Sequence, residues 1–94
     1  MGEREQYVVV RTYSAGVHVG VLEYRDGKEV CLSKARRIWS WRERNTLHEI
    51  ANHGVGAGSR VSEPVESIDL TEAIEVITCS DEGRAALEHA TWTK

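Results

Sequence analysis

The chain of 94 residues contains no phenylalanine, one proline and only two cysteines. Cys31 and Cys79 are too few for the disulfide framework of a small secreted protein. No apolar run approaches the ~18 residues that cross a membrane, and the polar first residues do not resemble a signal peptide. We therefore predict a single domain over residues 1–94, with reduced thiols, in the cytoplasm.

The chain also lacks an excess of positive charge, since its formal net charge is −3. This balance argues against a protein that coats long nucleic acids. The charge is distributed unevenly, because residues 34–44 include five basic residues and one acidic residue, whereas residues 61–94 include eight acidic and two basic residues. One segment can therefore attract anions while the rest of the chain repels them.

Hydrophobic patterning predicts a β-meander in the first third of the chain. β-Branched and aromatic residues predict strands over 7–13 and 17–25, and an Asp26-Gly27 turn returns the chain to a third strand over 29–33. In the second strand three valines alternate with His18. This alternation places His18 opposite the valine face, where we expect it to be exposed.

The rest of the chain is predicted to combine short strands with two helices. Thr46 and Glu49 form a capping box that begins one helix, which Gly54 ends, and Ser80 begins the second. We expect a strand over 35–41, a helix over 46–53, a loop over 54–59, an extended segment over 62–70, a strand over 71–79 and a C-terminal helix. The predicted class is α+β: a small antiparallel β-meander or sheet with one short central helix and a C-terminal helix.

No spacing of histidines or cysteines indicates catalysis or metal binding. His48 and His53 are five residues apart, which does not stack them on one helix face, and neither cysteine has a second thiol nearby in sequence. The glycine loop over 54–58 follows a helix and lacks the Lys-Ser/Thr of a P-loop. It is either a plain loop or, with Arg60, a backbone anion site. We expect no catalytic residue, no metal and no cofactor.

Arginine and tryptophan interleave within the basic segment, at Arg36, Arg37, Trp39 and Trp41. A guanidinium offers a planar fork to phosphate, and an indole stacks on a base for ~1–3 kcal/mol. The alternative is structural, with a tryptophan in the core and the arginines solvated or paired to the acidic C-terminal half. A small ligand that combines phosphate and base suits such a patch. A chain this small forms a deep pocket more easily between subunits, so we expect a homo-oligomer.

An ordered series of strings resembles a group of small phage and prophage proteins, and in particular the first family of Thoeris anti-defence proteins, the phage "sponges". The resemblance covers about residues 7–79. The strings are VRTYSAGVHVG at 10–20, DGKEV at 26–30, ARRIWSW at 35–41, NTL at 45–47 and LTEAIE at 70–75.

The resemblance implies a non-enzymatic protein that sequesters a cyclic ADP-ribose isomer made by bacterial TIR-domain enzymes, and so blocks Thoeris immunity in the host cytoplasm. Some members are hexamers built from dimers, with ADP-ribose-derived ligands at dimer interfaces and cyclic oligonucleotides at separate threefold sites. Three alternatives stay open: a protein-binding inhibitor of a host factor, a small single-strand nucleic-acid-binding protein, and an enzyme that acts on nucleotides.

The resemblance also suggests how the ligand would be held. A tight turn at Tyr13, Ser14 and Ala15 would approach it, Arg36 or Arg37 would hold its pyrophosphate, and Trp39 or Trp41 would stack on adenine. Arg60 would close over it from the same chain or a partner chain, and His18 is a further candidate. The candidate ligand-binding residues are thus Tyr13, Ser14, Ala15, His18, Arg36, Arg37, Trp39, Trp41 and Arg60.

Overall fold

Antiparallel strands and two short helices make up the described part of the chain, which in this computed structural model comprises residues 5–40, 46–56 and 59–90. The α+β class predicted from the sequence is confirmed. In chain order the elements are β1 (Tyr7–Thr12), β2 (Val17–Asp26), β3 (Glu29–Ser40), α1 (Leu47–His53), β4 (Arg60–Val61), β5 (Val65–Leu70), β6 (Ala73–Thr78) and α2 (Asp81–His89).

The sheet has the strand order β4-β3-β2-β1-β6, and β5 also pairs with β3. β1, β2 and β3 form the predicted meander. The strands expected over 29–33 and 35–41 form one continuous strand, β3, which the structure describes as far as Ser40. The extended segment expected over 62–70 is interrupted, because β4 and β5 are separated by residues 62–64. β4 and β5 therefore lie end to end along the same edge of β3.

A β-bulge at Lys34 bends β3. Val19 and Val21 of β2 pair with Arg36 and Ser33 of β3. The two pairs are therefore two residues apart on β2 but three residues apart on β3. Lys34 takes the extra position with a left-handed φ of 52°. Gly20 faces the bulge, where a Cβ atom would lie 2.9 Å from the Ser33 carbonyl oxygen. The bulge therefore requires glycine at residue 20.

Hydrophobic clusters cover both faces of the sheet. On one face Val9, Val19 and Ile38 pack against Ile50 of α1 and Leu87 of α2. The second cluster, on the other face, unites the central strands with β5 and β6 and consists of Val8, Val10, Val30, Leu32, Ala35 and Leu70, with Leu22, Ile68, Ala73 and Val76 packed against them.

The second cluster forms because the sheet curls. β5 and β6 lie on opposite edges of the sheet, yet only two residues connect them. At this connection the N–H of Ala73 donates to the Lys28 carbonyl and the N–H of Tyr13 donates to the Glu72 carbonyl, both at 3.0 Å. His18 lies on the curled face and is only 1% exposed. The expectation of an exposed His18 is therefore wrong, because the face opposite the valines is also buried.

The two helices begin where the sequence predicts. Thr46 Oγ1 accepts a hydrogen bond from the N–H of Glu49, and Ser80 Oγ accepts one from the N–H of Gly83. The helices cross closely at Gly83, where a Cβ atom would collide with the Ala51 carbonyl. In the described part of the chain, no helix is both long enough and apolar enough to cross a membrane.

Candidate functional site

A cavity of about 290 Å³ opens beside β3, at the junction between β4 and β5. It combines an apolar wall with a few polar side chains, as small-molecule sites do. The lining residues are His18, Ala35, Arg36, Arg37, Trp39, Ser62, Val65 and Ile68. Four of the nine candidate residues, His18, Arg36, Arg37 and Trp39, are thus brought together.

Side chains of β3 alternate between its two faces around the cavity, as the strand predicted over 35–41 requires. Ile38 is buried under the helices, whereas Arg37 is exposed and Trp39 is 56% exposed. This exposure contradicts the alternative that places Trp39 in the core. Ser62 holds the strand here, since its Oγ accepts from the N–H of Arg37 at 2.9 Å and its own N–H donates to the Arg37 carbonyl at 2.8 Å. Arg37 and Trp39 therefore project together from a fixed backbone.

Arg36 has a structural role on the opposite face. Its side chain is buried, its Nε donates to the Ser62 carbonyl at 2.7 Å, and its Nη1 donates to the carbonyls of Leu87 at 2.9 Å and Glu88 at 3.4 Å. The guanidinium thereby caps the C-terminal end of α2, where a positive charge is favoured. Of the two arginines expected to hold a pyrophosphate, Arg37 is the one whose side chain projects on the cavity side of β3.

His18 borders the cavity directly across the β2–β3 ladder from Arg37. Its Nε2 lies 2.9 Å from the carbonyl oxygen of Ala15, so Nε2 carries the proton and donates it. Burial lowers the pKa of His18, the Ala15 carbonyl acts in the opposite sense, and the charge of Arg37 lowers the pKa further. The imidazole is therefore neutral at pH 7, with its proton on Nε2.

The predicted tight turn joins β1 to β2 and is exposed. Thr12 Oγ1 donates to the Gly16 carbonyl at 2.7 Å and accepts from the N–H of Ala15 at 2.9 Å. Ser14 Oγ donates to Glu72 Oε1 at 2.6 Å. The turn reaches the cavity through the bond between Ala15 and His18, while Tyr13, Ser14 and Ala15 do not line it. Their contact with a ligand stays a prediction.

The last two candidates lie apart from the cavity lining. Arg60 is exposed on β4, where its backbone pairs with Ser40, and it does not border the cavity. Trp41 lies outside the described residues, as do residues 57–58 of the glycine loop. Ser62, Val65 and Ile68 also line the cavity and were not predicted from the sequence. Alternation of Ile68 and Leu70 with polar residues could have indicated an apolar face of β5. It does not include Val65, and the position of β5 against β3 depends on the curl of the sheet.

A larger, open crevice of about 580 Å³ lies beside the start of α2. Burial raises the pKa of Tyr7 and that of Cys79 to about 12, so both are neutral at pH 7. Arg84 there is paired with Glu5 at 2.9 Å and Glu88 at 3.1 Å, and its guanidinium lies 5.3 Å from the centre of the Tyr7 ring. The charge of Arg84 is already paired with carboxylates of the chain. The cavity beside β3 is therefore the better candidate for a ligand-binding site.

Among the residues that the structure describes, no three His, Cys, Asp or Glu side chains are grouped so that they could hold a metal ion. Comparison with curated proteins gives no match, and comparison with solved structures gives none either. Comparison with protein families matches residues 5–87 to DUF6948, a domain of unknown function. The match covers most of the chain and includes every strand, the first helix and most of the second. The chain therefore belongs to the DUF6948 family.

Proposed function

We propose that the protein binds a small nucleotide signal in the cavity beside β3 and sequesters it without cleaving it. One observation carries the proposal: Arg37 and Trp39 project from the same face of one strand into the rim of a cavity with an apolar wall. A guanidinium recognises phosphate and an indole stacks on a base. A nucleotide carries a phosphate and a base a short distance apart.

The charge around Arg37 supports an anionic ligand. None of the described residues forms an ion pair with the Arg37 guanidinium, whereas Arg84 is held by two carboxylates. The described lining of the cavity contains neither a carboxylate nor a thiol. The lining therefore offers Arg37 to an anion, and it offers no carboxylate or thiol that could serve as a nucleophile or orient His18 as a base.

The motif series in the sequence supports a cyclic ADP-ribose isomer as the ligand, and inhibition of Thoeris-type immunity in the host cytoplasm as the outcome. Such a ligand carries a pyrophosphate and one adenine base, which are the groups that Arg37 and Trp39 would hold. Cyclic oligonucleotides carry phosphodiesters and bases in place of the pyrophosphate and single adenine, and they are a second ligand class under the same proposal.

The size of the cavity supports a site that two copies complete. Ligand pockets are typically roughly 300–1,000 Å³, and about 290 Å³ in one chain lies just below this range. The rim exposes two apolar side chains, Trp39 and Val65, of which Val65 is 48% exposed. A second copy that packs over this rim would bury both side chains and enclose the part of the ligand that extends from the cavity.

Isothermal titration calorimetry with a cyclic ADP-ribose isomer tests the proposal. We expect micromolar or tighter binding, and after heat denaturation we expect chromatography to recover the ligand intact. Absence of binding would contradict the proposal, and recovery of a hydrolysed ligand would identify an enzyme. Trp39→Ala should weaken binding by about 5- to 150-fold, because one base–aromatic stack contributes roughly 1–3 kcal/mol.

A second candidate, a protein-binding inhibitor of a host factor, is favoured by the same exposed rim, because aromatic side chains are enriched in protein interfaces. Affinity capture from bacterial lysate separates the two functions. The inhibitor would retain a specific protein and no nucleotide, and Trp39→Ala would release that protein. A single-strand nucleic-acid site would instead bind longer oligonucleotides more tightly and lose affinity steeply with salt.

A further inference from the structure

The imidazole of His18 has one nitrogen bonded to the fold and one without a partner in the described part of the chain. The side chain is 1% exposed and borders the cavity. Its Nε2 donates to the Ala15 carbonyl at 2.9 Å, while Nδ1 has no hydrogen-bond partner among residues 5–40, 46–56 and 59–90. No side-chain nitrogen or oxygen of the described residues is both buried and without a hydrogen-bond partner, so Nδ1 is accessible. It can therefore bind a polar group of a ligand that enters the cavity.

The hydrogen bond with Ala15 determines what Nδ1 can accept. A carbonyl oxygen only accepts hydrogen bonds, so the proton of the neutral ring must lie on Nε2. Nδ1 then carries a lone pair and is a pure acceptor. The groups that could change this state are few: Arg37 faces His18 from β3 and opposes its protonation, and the paired residue on β1 is the apolar Val10.

We infer that His18 selects the base of the ligand through Nδ1, which accepts a hydrogen bond from an exocyclic amino group and disfavours a carbonyl oxygen at the same position. This inference rests on the proposed nucleotide function and specifies its base. Adenine and cytosine carry such an amino group, whereas hypoxanthine, guanine and uracil carry a carbonyl there. With a carbonyl, two hydrogen-bond acceptors would face each other and neither could bond to the other.

A pair of ligands that differ only in this group tests the inference. One is a cyclic ADP-ribose isomer with an unsubstituted 6-amino group, and the other is its hypoxanthine counterpart. Calorimetry at pH 7.5 should show that the wild-type protein binds the amino ligand at least about fivefold more tightly, since a mispaired acceptor costs at least about that much in affinity. His18→Phe keeps the ring but removes both nitrogens, and it should reduce the preference to within about threefold.

The possible outcomes separate this inference from the proposed function. Equal wild-type affinities for the two ligands would overturn the role of His18 and leave nucleotide binding in place. A full preference retained by folded His18→Phe would overturn it as well. If neither ligand binds, the proposed function fails and the inference fails with it.

Nuclear magnetic resonance of the imidazole nitrogens provides a test that needs neither a ligand nor a variant. In the free protein at pH 7.5 we expect the ¹⁵N shifts of His18 to show a protonated Nε2 and an unprotonated Nδ1. A proton on Nδ1 would overturn the inference directly, even if His18→Phe did not fold.

Discussion

Arg36 and Arg37 are adjacent in the sequence but lie on opposite sides of β3. The Arg36 guanidinium is bonded to backbone carbonyls of Ser62, Leu87 and Glu88, whereas that of Arg37 is exposed at the cavity. The strand predicted over 35–41 implies this separation, because successive side chains of a strand point to opposite faces. It could not show which side was the ligand side, because the position of α2 over Arg36 depends on contacts between residues 51 positions apart.

Substitution of each arginine by methionine distinguishes their roles. Arg36→Met should lower the free energy of unfolding by roughly 2–4 kcal/mol, because buried carbonyls would lose their donor. Arg37→Met is the matched control, and it should change the stability by less than about 0.5 kcal/mol while it weakens ligand binding. Urea denaturation measures both effects. An Arg36→Met protein as stable as the wild type would contradict the structural role.

Tyr7 makes the stability sensitive to alkaline pH. Burial, reinforced by the charge of Glu88, raises its pKa from 10.0 to about 12, so the folded state favours the neutral phenol. The resulting stability is present below pH 10 and is lost as the pH rises toward 12. Burial of Cys79, whose pKa rises from 9.0 to about 12, acts with the same sign above pH 9.

We therefore expect the free energy of unfolding, measured by urea denaturation, to fall between pH 9 and pH 12. Tyr7→Phe should make the fall shallower above pH 10, because it removes the ionisable group. Tyr13→Phe, at an exposed position in the β1–β2 turn, is the control and should keep the wild-type dependence. A Tyr7→Phe curve that coincides with the wild-type curve would refute this explanation.

At the scale of the elements, the bulge in β3 shapes the edge to which β4 and β5 bind. Gly20→Ala should cost about 1–3 kcal/mol, because the added methyl group meets backbone atoms of β3. Lys34→Gly should stabilise the fold by about 0.5–1 kcal/mol, since glycine adopts the left-handed conformation without strain but is more flexible when unfolded. Thermal unfolding measures both changes, and stabilisation by Gly20→Ala would contradict the described bulge.

Local signals in the sequence predicted most elements correctly. The β-meander, the caps at Thr46 and Ser80 and the strand before α2 follow from turn residues and short-range periodicity. The burial of His18 did not follow from them. Alternation assigns one face of β2 to the core, but it cannot show that β5 and β6 curl the sheet and cover the other face. For the same reason, the sequence did not predict that Ser62, Val65 and Ile68 border the site.

For the molecule as a whole, we propose that the cavity beside β3 holds the base and phosphate of a nucleotide and that a second copy completes the enclosure. The cavity is formed by β2, β3 and the junction of β4 and β5, so its shape depends on the curled sheet rather than on one motif. The exposed rim at Trp39 and Val65 is the surface where the second copy would pack.

A crystal structure of the protein grown with a cyclic ADP-ribose isomer tests this claim most directly. We predict a base stacked on Trp39 with its amino group at His18 Nδ1, a phosphate within hydrogen-bond distance of Arg37, and a second copy packed over the rim. Ligand density in the crevice beside Tyr7 and Arg84, with the cavity beside β3 empty, would contradict the account.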